Sequence, residues 1–223
     1  MLIEQVVAEL YATNCWILAP RANGECVVFD PGIANPHLVR AIEDALNRHH
    51  LTPVAIIATH GHLDHTFSIQ PLAAKSGIPA YIHSADRELL AHPERALSPE
   101  TTSLFEHLSF SEPDEVVELH DGMKINLAGM ELVFDHSPGH TEGSVCIREE
   151  SAGLLFSGDV LFNNGIGRTD LPTSSPAKMR TSLLKVFELD DAYRVFPGHG
   201  PTTTIGDERL HNEYLAAAIE GRI

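Results

Sequence analysis

Cysteines are scarce in this chain of 223 residues, and their scarcity excludes a disulfide-stabilised scaffold. The chain has three cysteines, Cys15, Cys26 and Cys146, which is an odd number at wide spacings. This pattern indicates neither a disulfide framework nor a Cys-x-x-Cys metal site. No apolar run approaches the roughly 18 residues that span a bilayer. Residues 1–4 do not begin a signal peptide, which has a basic segment followed by an apolar one. We therefore expect a cytoplasmic protein in a reducing compartment, with no membrane partner.

Basic residues are also few, because 15 lysines and arginines face 31 acidic residues and the formal net charge is −16. A surface this acidic repels phosphate backbones, which excludes nucleic acid as an expected partner. Hydrophobic residues make up 43% of the chain, enough for a substantial core, and we expect one domain over residues 1–223. Histidine is abundant, with 14 residues against one tryptophan and four tyrosines.

Hydrophobic periodicity predicts an alternation of strands and helices. Runs rich in β-branched and aromatic residues predict strands at 6–18, 26–29, 54–58, 80–82, 131–134, 144–148, 154–156 and 193–196. Apolar residues at helical spacing predict helices at 66–75, from Ser175 onward and at 207–219. A further helix is predicted to begin with Asn35 as N-cap and Pro36 at its first position. Residues 92–113 are predicted to be a loop with helical fragments, and the order suggests sheets inside and helices outside.

Four of the predicted strands each run into a loop that carries histidine or aspartate. These loops contain seven candidate metal ligands: His60, His62, Asp64, His65, His140, Asp159 and His199. Loops at strand ends are where binding residues are usually placed, because a rigid sheet positions them. Imidazole and carboxylate groups suit zinc, iron or manganese. Without a cation, crowding these polar groups together would cost roughly a few kcal/mol each, so the set predicts a metal site.

The motifs around these residues resemble those of the metallo-β-lactamase superfamily, most closely its hydroxyacylglutathione hydrolase (glyoxalase II) branch. The segment 59–65 reads Thr-His-Gly-His-Leu-Asp-His, and 138–144 begins Pro-Gly-His. Two further motifs follow in order, Ser-Gly-Asp at 157–159 and Pro-Gly-His-Gly-Pro at 197–201. The resemblance as a whole starts near residue 10 and continues to the end of the chain. Phe-Asp-Pro-Gly at 29–32 is similar to the first strand-end motif of the family. The resemblance implies an α/β fold, specifically a four-layer αββα sandwich.

The resemblance also implies which residue binds which ion of a dinuclear site. Two divalent ions are expected, zinc first, with iron or manganese as alternatives. The first ion is assigned to His60, His62 and His140, the second to Asp64, His65 and His199, and Asp159 is assigned to bridge them. Each ion then keeps open coordination for a shared water, as catalytic sites do.

This site predicts hydrolysis of a small-molecule thioester, an S-2-hydroxyacyl thiol, by a hydroxide that bridges the metals beside Asp64. A thiolate leaves readily, so the reaction needs no dedicated general acid. Asp30 is expected to orient a ligand histidine through a hydrogen bond, the alternative being a plain turn residue. Arg168 is expected to bind the substrate, the alternative being an ion pair with Asp170.

Several alternatives stay open. Glyoxalase II has a C-terminal helical domain that helps to bind glutathione, whereas only about two dozen residues follow His199, so no separate helical substrate domain is expected. A persulfide dioxygenase with one iron would use His60, His140 and Asp159, and it shares a stretch like 167–170. A lactonase, a non-catalytic metal-binding module and a homo-oligomer are also compatible with the sequence.

Overall fold

The computed structural model describes residues 1–33, 37–105 and 107–222, and two six-stranded sheets form its centre. The first sheet consists, in spatial order, of β1 Leu2–Val7, β2 Asn14–Ala19, β3 Glu25–Phe29, β4 Thr52–Ile57, β5 Ala80–His83 and β6 Val116–Leu119. The second consists, also in spatial order, of β7 Met123–Leu127, β8 Met130–His136, β9 Val145–Glu149, β10 Leu154–Gly158, β11 Arg194–Pro197 and β12 Thr203–Thr204. The predicted helix cap at Asn35 and Pro36 lies outside the described residues.

Helices cover the outer faces of both sheets or lie beside the candidate site. They are α1 His37–His49, α2 Leu63–Thr66, α3 Ile69–Ser76, α4 Pro99–Phe105, α5 Pro176–Phe187, α6 Ile205–His211 and α7 Glu213–Glu220. Short 3₁₀ helices lie at Ser84–Leu90, Pro93–Ala96 and Glu150–Ala152. The predicted start of α5 is borne out, because the Ser175 side chain accepts a hydrogen bond from the Lys178 backbone N–H and Pro176 occupies the first turn. No helix within the described ranges is long and apolar enough to cross a membrane.

The alternation of side chains along each strand builds the layers. In β3, Val27 and Phe29 point between the sheets, whereas Cys26 and Val28 pack toward the outer helices. The Phe29 and Phe156 rings stack across the two sheets with centroids 4.2 Å apart. Burying apolar surface on both faces of both sheets requires a helical layer on each side, and the predicted four-layer sandwich is confirmed.

The strands that precede the candidate site end at one edge of the sandwich. β3 to β6 are parallel, and β10 is parallel to β11. Backbone hydrogen bonds join the two halves there, from Val145 N–H to the Thr59 carbonyl and from Asn14 N–H to the Gly198 carbonyl. The Asn14 side chain donates further hydrogen bonds to the carbonyls of Pro197 and Gly200. This edge is therefore fixed by both sheets.

Three predicted elements were wrong in their extent. The strand predicted at 6–18 is two strands, because Tyr11 and Ala12 adopt left-handed backbone conformations (φ 63° and 52°) and reverse the chain. The helix predicted at 66–75 is divided between α2 and α3. The helix predicted at 207–219 breaks at Asn212, which has extended backbone angles and caps α7 with its side chain. β6 and β7 were missed, since short half-buried strands carry a weak hydrophobic pattern.

Candidate metal centre

The segment that follows β4 supplies four of the seven predicted ligands. His60 and His65 are buried, at 1% and 0% exposure, so their ring positions are set by the packing around them. His62 has an extended backbone (φ −65°, ψ 143°), and α2 begins directly after it. Asp64 and His65 therefore lie on the first turn of a helix while His60 and His62 precede it. This change of backbone direction turns the four side chains toward one point.

The structure brings all seven predicted ligands together. They form three groups in which the ligand atoms lie within 4.8 Å of one another: His60, His62 and His140; His60, His65 and Asp159; and Asp64, His65 and His199. Asp159 spans the set, because its Oδ1 lies 3.4 Å from His65 Nε2 and its Oδ2 lies 3.4 Å from His140 Nε2. The arrangement is therefore one continuous cluster of nitrogen and oxygen donors.

Unpaired polar atoms within this cluster fit a metal site. His60 Nε2, His62 Nε2 and Asp159 Oδ1 are buried and make no hydrogen bond within the described part of the chain. The ring nitrogens His62 Nδ1 and His140 Nε2 face each other at 2.7 Å. Buried polar atoms are almost always paired, and an unpaired one costs roughly 1–3 kcal/mol. Divalent cations bound by these imidazoles and carboxylates would remove that cost, so the residues present fit the metals that the sequence predicts.

Burial and neighbouring charges shift the pKa values within the cluster in different directions. Burial, reinforced by the nearby His140, lowers the pKa of His62 to about 3. Burial likewise lowers the pKa of His60. Burial opposes ionisation of Asp64, but the charge of His65 and the hydrogen bond of His199 hold the pKa of this carboxyl below its usual range. For His65, burial is outweighed by the carboxylates of Asp159, Asp64 and Asp30, which raise its pKa to about 10.

Backbone carbonyls orient two of the candidate ligand histidines. His140 Nδ1 lies 2.8 Å from the Arg168 carbonyl oxygen, and His199 Nδ1 lies 3.0 Å from that of Tyr11. A carbonyl can only accept, so each Nδ1 carries a proton and Nε2 is the ring nitrogen that faces the cluster and could bind a cation. Sequence reasoning missed both contacts because any residue type can supply a carbonyl.

Asp30 lies behind the cluster, where its carboxylate holds the loop after β4. Its Oδ1 accepts from the Thr59 backbone N–H at 2.7 Å, and its Oδ2 accepts from the Thr59 hydroxyl at 2.7 Å. The same Oδ2 lies 3.0 Å from His65 Nδ1. This contact directs His65 Nε2 toward Asp64 and Asp159, so Asp30 orients a candidate ligand and lies outside the three groups of donors.

A cavity of about 560 Å³ opens beside the cluster. Its floor includes His62, Asp64, His140, Asp159 and His199, and its walls include Ile33, Leu97, Phe105, Phe162 and Leu171. Arg168 also lines the cavity, where its guanidinium makes two hydrogen bonds, of 2.7 and 2.8 Å, to the Asp170 carboxylate. The ion pair considered for Arg168 is therefore present, at a position that a substrate in the cavity would reach.

The sandwich and its cluster of candidate metal ligands suggest a metal-dependent hydrolase by class. The model of the metallo-beta-lactamase superfamily matches residues 8–199, and the chain belongs to that superfamily.

Similar proteins share nearly the full length of the chain. An uncharacterized protein of Mycobacterium tuberculosis, Rv2581c, is 43% identical, with 96% of this chain and 98% of the relative covered. The probable metallo-hydrolase YqgX of Bacillus subtilis is 33% identical, with 87% and 89% covered. The hydroxyacylglutathione hydrolase GloC of Haemophilus influenzae is 29% identical, with 96% and 98% covered.

Two solved structures have the same fold over almost their whole length. The BLEG-1 B3 metallo-beta-lactamase superposes with a TM-score of 0.82 at 31% identity, covering 96% of this chain and 99% of that one. TTHA1623 in a di-iron-bound form superposes with a TM-score of 0.79 at 29% identity, covering 95% and 99%.

Proposed function

We propose that this protein is a dinuclear metallohydrolase that cleaves a thioester, of the S-2-hydroxyacyl thiol class. The observation that carries the proposal is the continuous donor cluster of five histidines and two aspartates at the floor of a cavity. Similarity to the hydroxyacylglutathione hydrolase GloC supports a thioester as the substrate. The thiol carrier is to be identified by assay.

The proposed metal ligands follow the three groups of donors. His60, His62 and His140 would hold one ion, Asp64, His65 and His199 the other, and Asp159 would bridge them. Zinc is proposed for both positions, with iron the first alternative because TTHA1623 has a di-iron form. When bound, the ions would supply a water of lowered pKa and would polarise the thioester carbonyl.

The surrounding residues would position the reactants. Asp64 is the proposed catalytic carboxylate, because it lies at the cavity floor, is held ionised by its neighbours and can accept a hydrogen bond from the attacking water. Leu97, Phe105 and Phe162 would exclude other water from the acyl group. The departing thiolate is stable at neutral pH, so the cavity need not supply a proton to it.

An assay panel tests the proposal. S-lactoyl thioesters of glutathione and of N-acetylcysteamine, a β-lactam and glutathione persulfide are offered to the protein as purified. We expect one equivalent of free thiol and one of carboxylate from a thioester, with no oxygen uptake. Oxygen consumption with the persulfide would favour the mononuclear iron dioxygenase instead. Turnover of the β-lactam alone, or of no compound, would also contradict the proposal.

Replacing Arg168 by alanine is expected to raise KM more than it lowers kcat. The guanidinium lines the cavity and pairs with Asp170 rather than with a residue of the donor cluster, so it would contribute to binding rather than to chemistry. We expect roughly a 3- to 10-fold increase in KM, as for the loss of one exposed charged contact of about 1 kcal/mol. Steady-state kinetics on the best thioester measures both constants.

Asp170→Asn is the matched variant, because it removes the charge that now neutralises Arg168. A lower KM for a carboxylate-bearing thioester is expected from it. An unchanged KM in Arg168→Ala, or a fall in kcat alone, would show that this residue does not bind the substrate.

A further inference from the structure

Asp86 is a buried carboxylate that sequence reasoning did not single out. It lies in the 3₁₀ helix that follows β5, and only 1% of its surface is exposed. Its Oδ2 accepts hydrogen bonds from the Gly61 backbone N–H at 2.8 Å and from the Thr141 hydroxyl at 2.6 Å. Its Oδ1 accepts from the Gly143 backbone N–H at 2.7 Å. Hydrogen bonds to an ionised carboxylate are about twice as strong as neutral ones.

These hydrogen bonds join two loops that leave different sheets. Gly61 separates His60 from His62 in the loop after β4 of the first sheet. Thr141 directly follows His140 in the loop after β8 of the second sheet. One carboxylate therefore spans the gap between the sheets and fixes the distance between the backbones that carry these three histidines.

The two glycines allow the carboxylate to approach this closely. A Cβ atom on Gly143 would lie 2.5 Å from Asp86 Cγ, and one on Gly61 would lie 3.0 Å from Asp86 Cβ. The Gly143 contact is too short for any side chain, and a Cβ atom on Gly61 would also lie 2.6 Å from Leu89 Cδ1 in the same 3₁₀ helix as Asp86. Glycine at both positions therefore lets the backbone N–H groups reach the oxygens. The loops and the carboxylate thus form a fitted unit rather than a chance contact.

The other group of donors is held by a different carboxylate. Asp30 contacts His65 directly, and it reaches His60 through the Thr59 hydroxyl, which lies 3.1 Å from His60 Nδ1. Within the described residues, the hydrogen bonds of Asp86 go to Gly61, Thr141 and Gly143. Asp30 therefore reaches both ends of the cluster, whereas Asp86 holds the loops of the end that contains His60, His62 and His140.

We infer that Asp86 is a positioning residue for the metal ion held by His60, His62 and His140, and that it acts on this ion and not on its neighbour. The inference rests on the metal centre in the proposed function. Residues that orient metal ligands typically contribute 10- to 100-fold to metal affinity. In Asp86→Asn, an NH₂ group replaces one of the two acceptor oxygens and faces a backbone N–H, from which it cannot accept a hydrogen bond. One of the two loops therefore loses its backbone hydrogen bond to this side chain.

A double-variant comparison tests this assignment in the full chain. Zinc affinity is measured on metal-free protein with a competing chelator, first with Asp86 intact and then with Asp86→Asn. In a His199→Ala background, which keeps the first group, Asp86→Asn is expected to weaken zinc binding about 10- to 100-fold. In a His62→Ala background, which keeps the second group, we expect less than a twofold change.

Equal weakening in both backgrounds would show a general structural role and would overturn the inference, as would no weakening in either. Thr141→Val removes only one of the three hydrogen bonds and should weaken the first position in the same direction by roughly threefold, which keeps the test available if Asp86→Asn does not fold. Because the readout is zinc affinity, absence of thioester hydrolysis by the parent protein would contradict the proposed function and leave this inference standing.

Discussion

Replacement of Asp159 by alanine is expected to reduce kcat/KM for thioester hydrolysis by about 1,000-fold or more. The Asp159 carboxylate lies within 3.4 Å of ligand nitrogens in both halves of the donor cluster, on His65 and on His140. Removing it takes one anionic donor from each proposed ion, and the loss of a metal is worth several kcal/mol in the transition state. Elemental analysis of the purified variant should find fewer than two metal ions per chain.

His62→Ala should act in the same direction, since it removes a buried ring nitrogen that has no hydrogen-bond partner in the described structure. Asp44→Ala serves as the control, because Asp44 is an exposed aspartate on α1, in the outer helical layer. The control should keep both the metal content and the activity of the parent. Full activity of Asp159→Ala at an unchanged metal content would contradict the proposed site.

Gly198→Ala is expected to lower kcat/KM by about 100-fold or more. A Cβ atom on Gly198 would lie 2.2 Å from Asp159 Oδ1 and 2.6 Å from His65 Cε1. Both contacts are far shorter than van der Waals distances, so one methyl group must displace two proposed ligands together. A displacement of about 1 Å at a reacting centre is enough for a loss of this size. Steady-state kinetics and metal analysis on the same sample measure the effect.

Gly165→Ala is the matched control, because it adds the same methyl group in a loop near the site. Its Cβ atom would meet Phe162 at 3.8 Å, an ordinary packing distance. We expect activity within about twofold of the parent from the control. If Gly198→Ala retained parental kinetics, the backbone at Gly198 would have room to move and the close packing of the ligands would not matter for activity.

The sequence carried enough information to predict the four layers of the fold and the convergence of the seven candidate ligands. Strands such as 26–29 and 54–58 have patterns that specify two buried faces, and burial on both faces requires a four-layer arrangement. The motif at 59–65 contains four of the seven candidate ligands within six residues. Only three further loops were needed to supply the other ligands. Family membership over residues 8–199 confirms the fold that these patterns predicted.

The contacts that hold the ligands in place could not be predicted in the same way. The carbonyls of Tyr11 and Arg168 orient His199 and His140, but a backbone carbonyl leaves no trace in residue type. Asp86 lies more than 20 residues from Gly61 and more than 50 from Gly143 along the chain, and it is an isolated aspartate in an unremarkable segment. Its role depends on the packing of two sheets, which hydrophobic periodicity does not encode.

Local backbone conformation accounts for the errors in the predicted elements. Tyr11 and Ala12 have side chains that are typical of a strand or helix, yet both adopt left-handed angles where the chain turns beside His199. A left-handed conformation at a non-glycine residue costs roughly 1–3 kcal/mol of conformational free energy, and such conformations tend to occur next to functional sites. The break at Asn212 between α6 and α7 is likewise set by tertiary packing, because its amide group also donates to Glu208 and to the Gly165 carbonyl.

Elemental analysis of the natively purified protein, combined with thioester turnover before and after removal of metal, is the most direct test of the dinuclear centre. The structure and the proposed function predict two transition-metal ions per chain, loss of turnover on stripping with a chelator, and recovery when two equivalents of zinc or iron are returned. Undiminished thioester hydrolysis by fully stripped protein would contradict them.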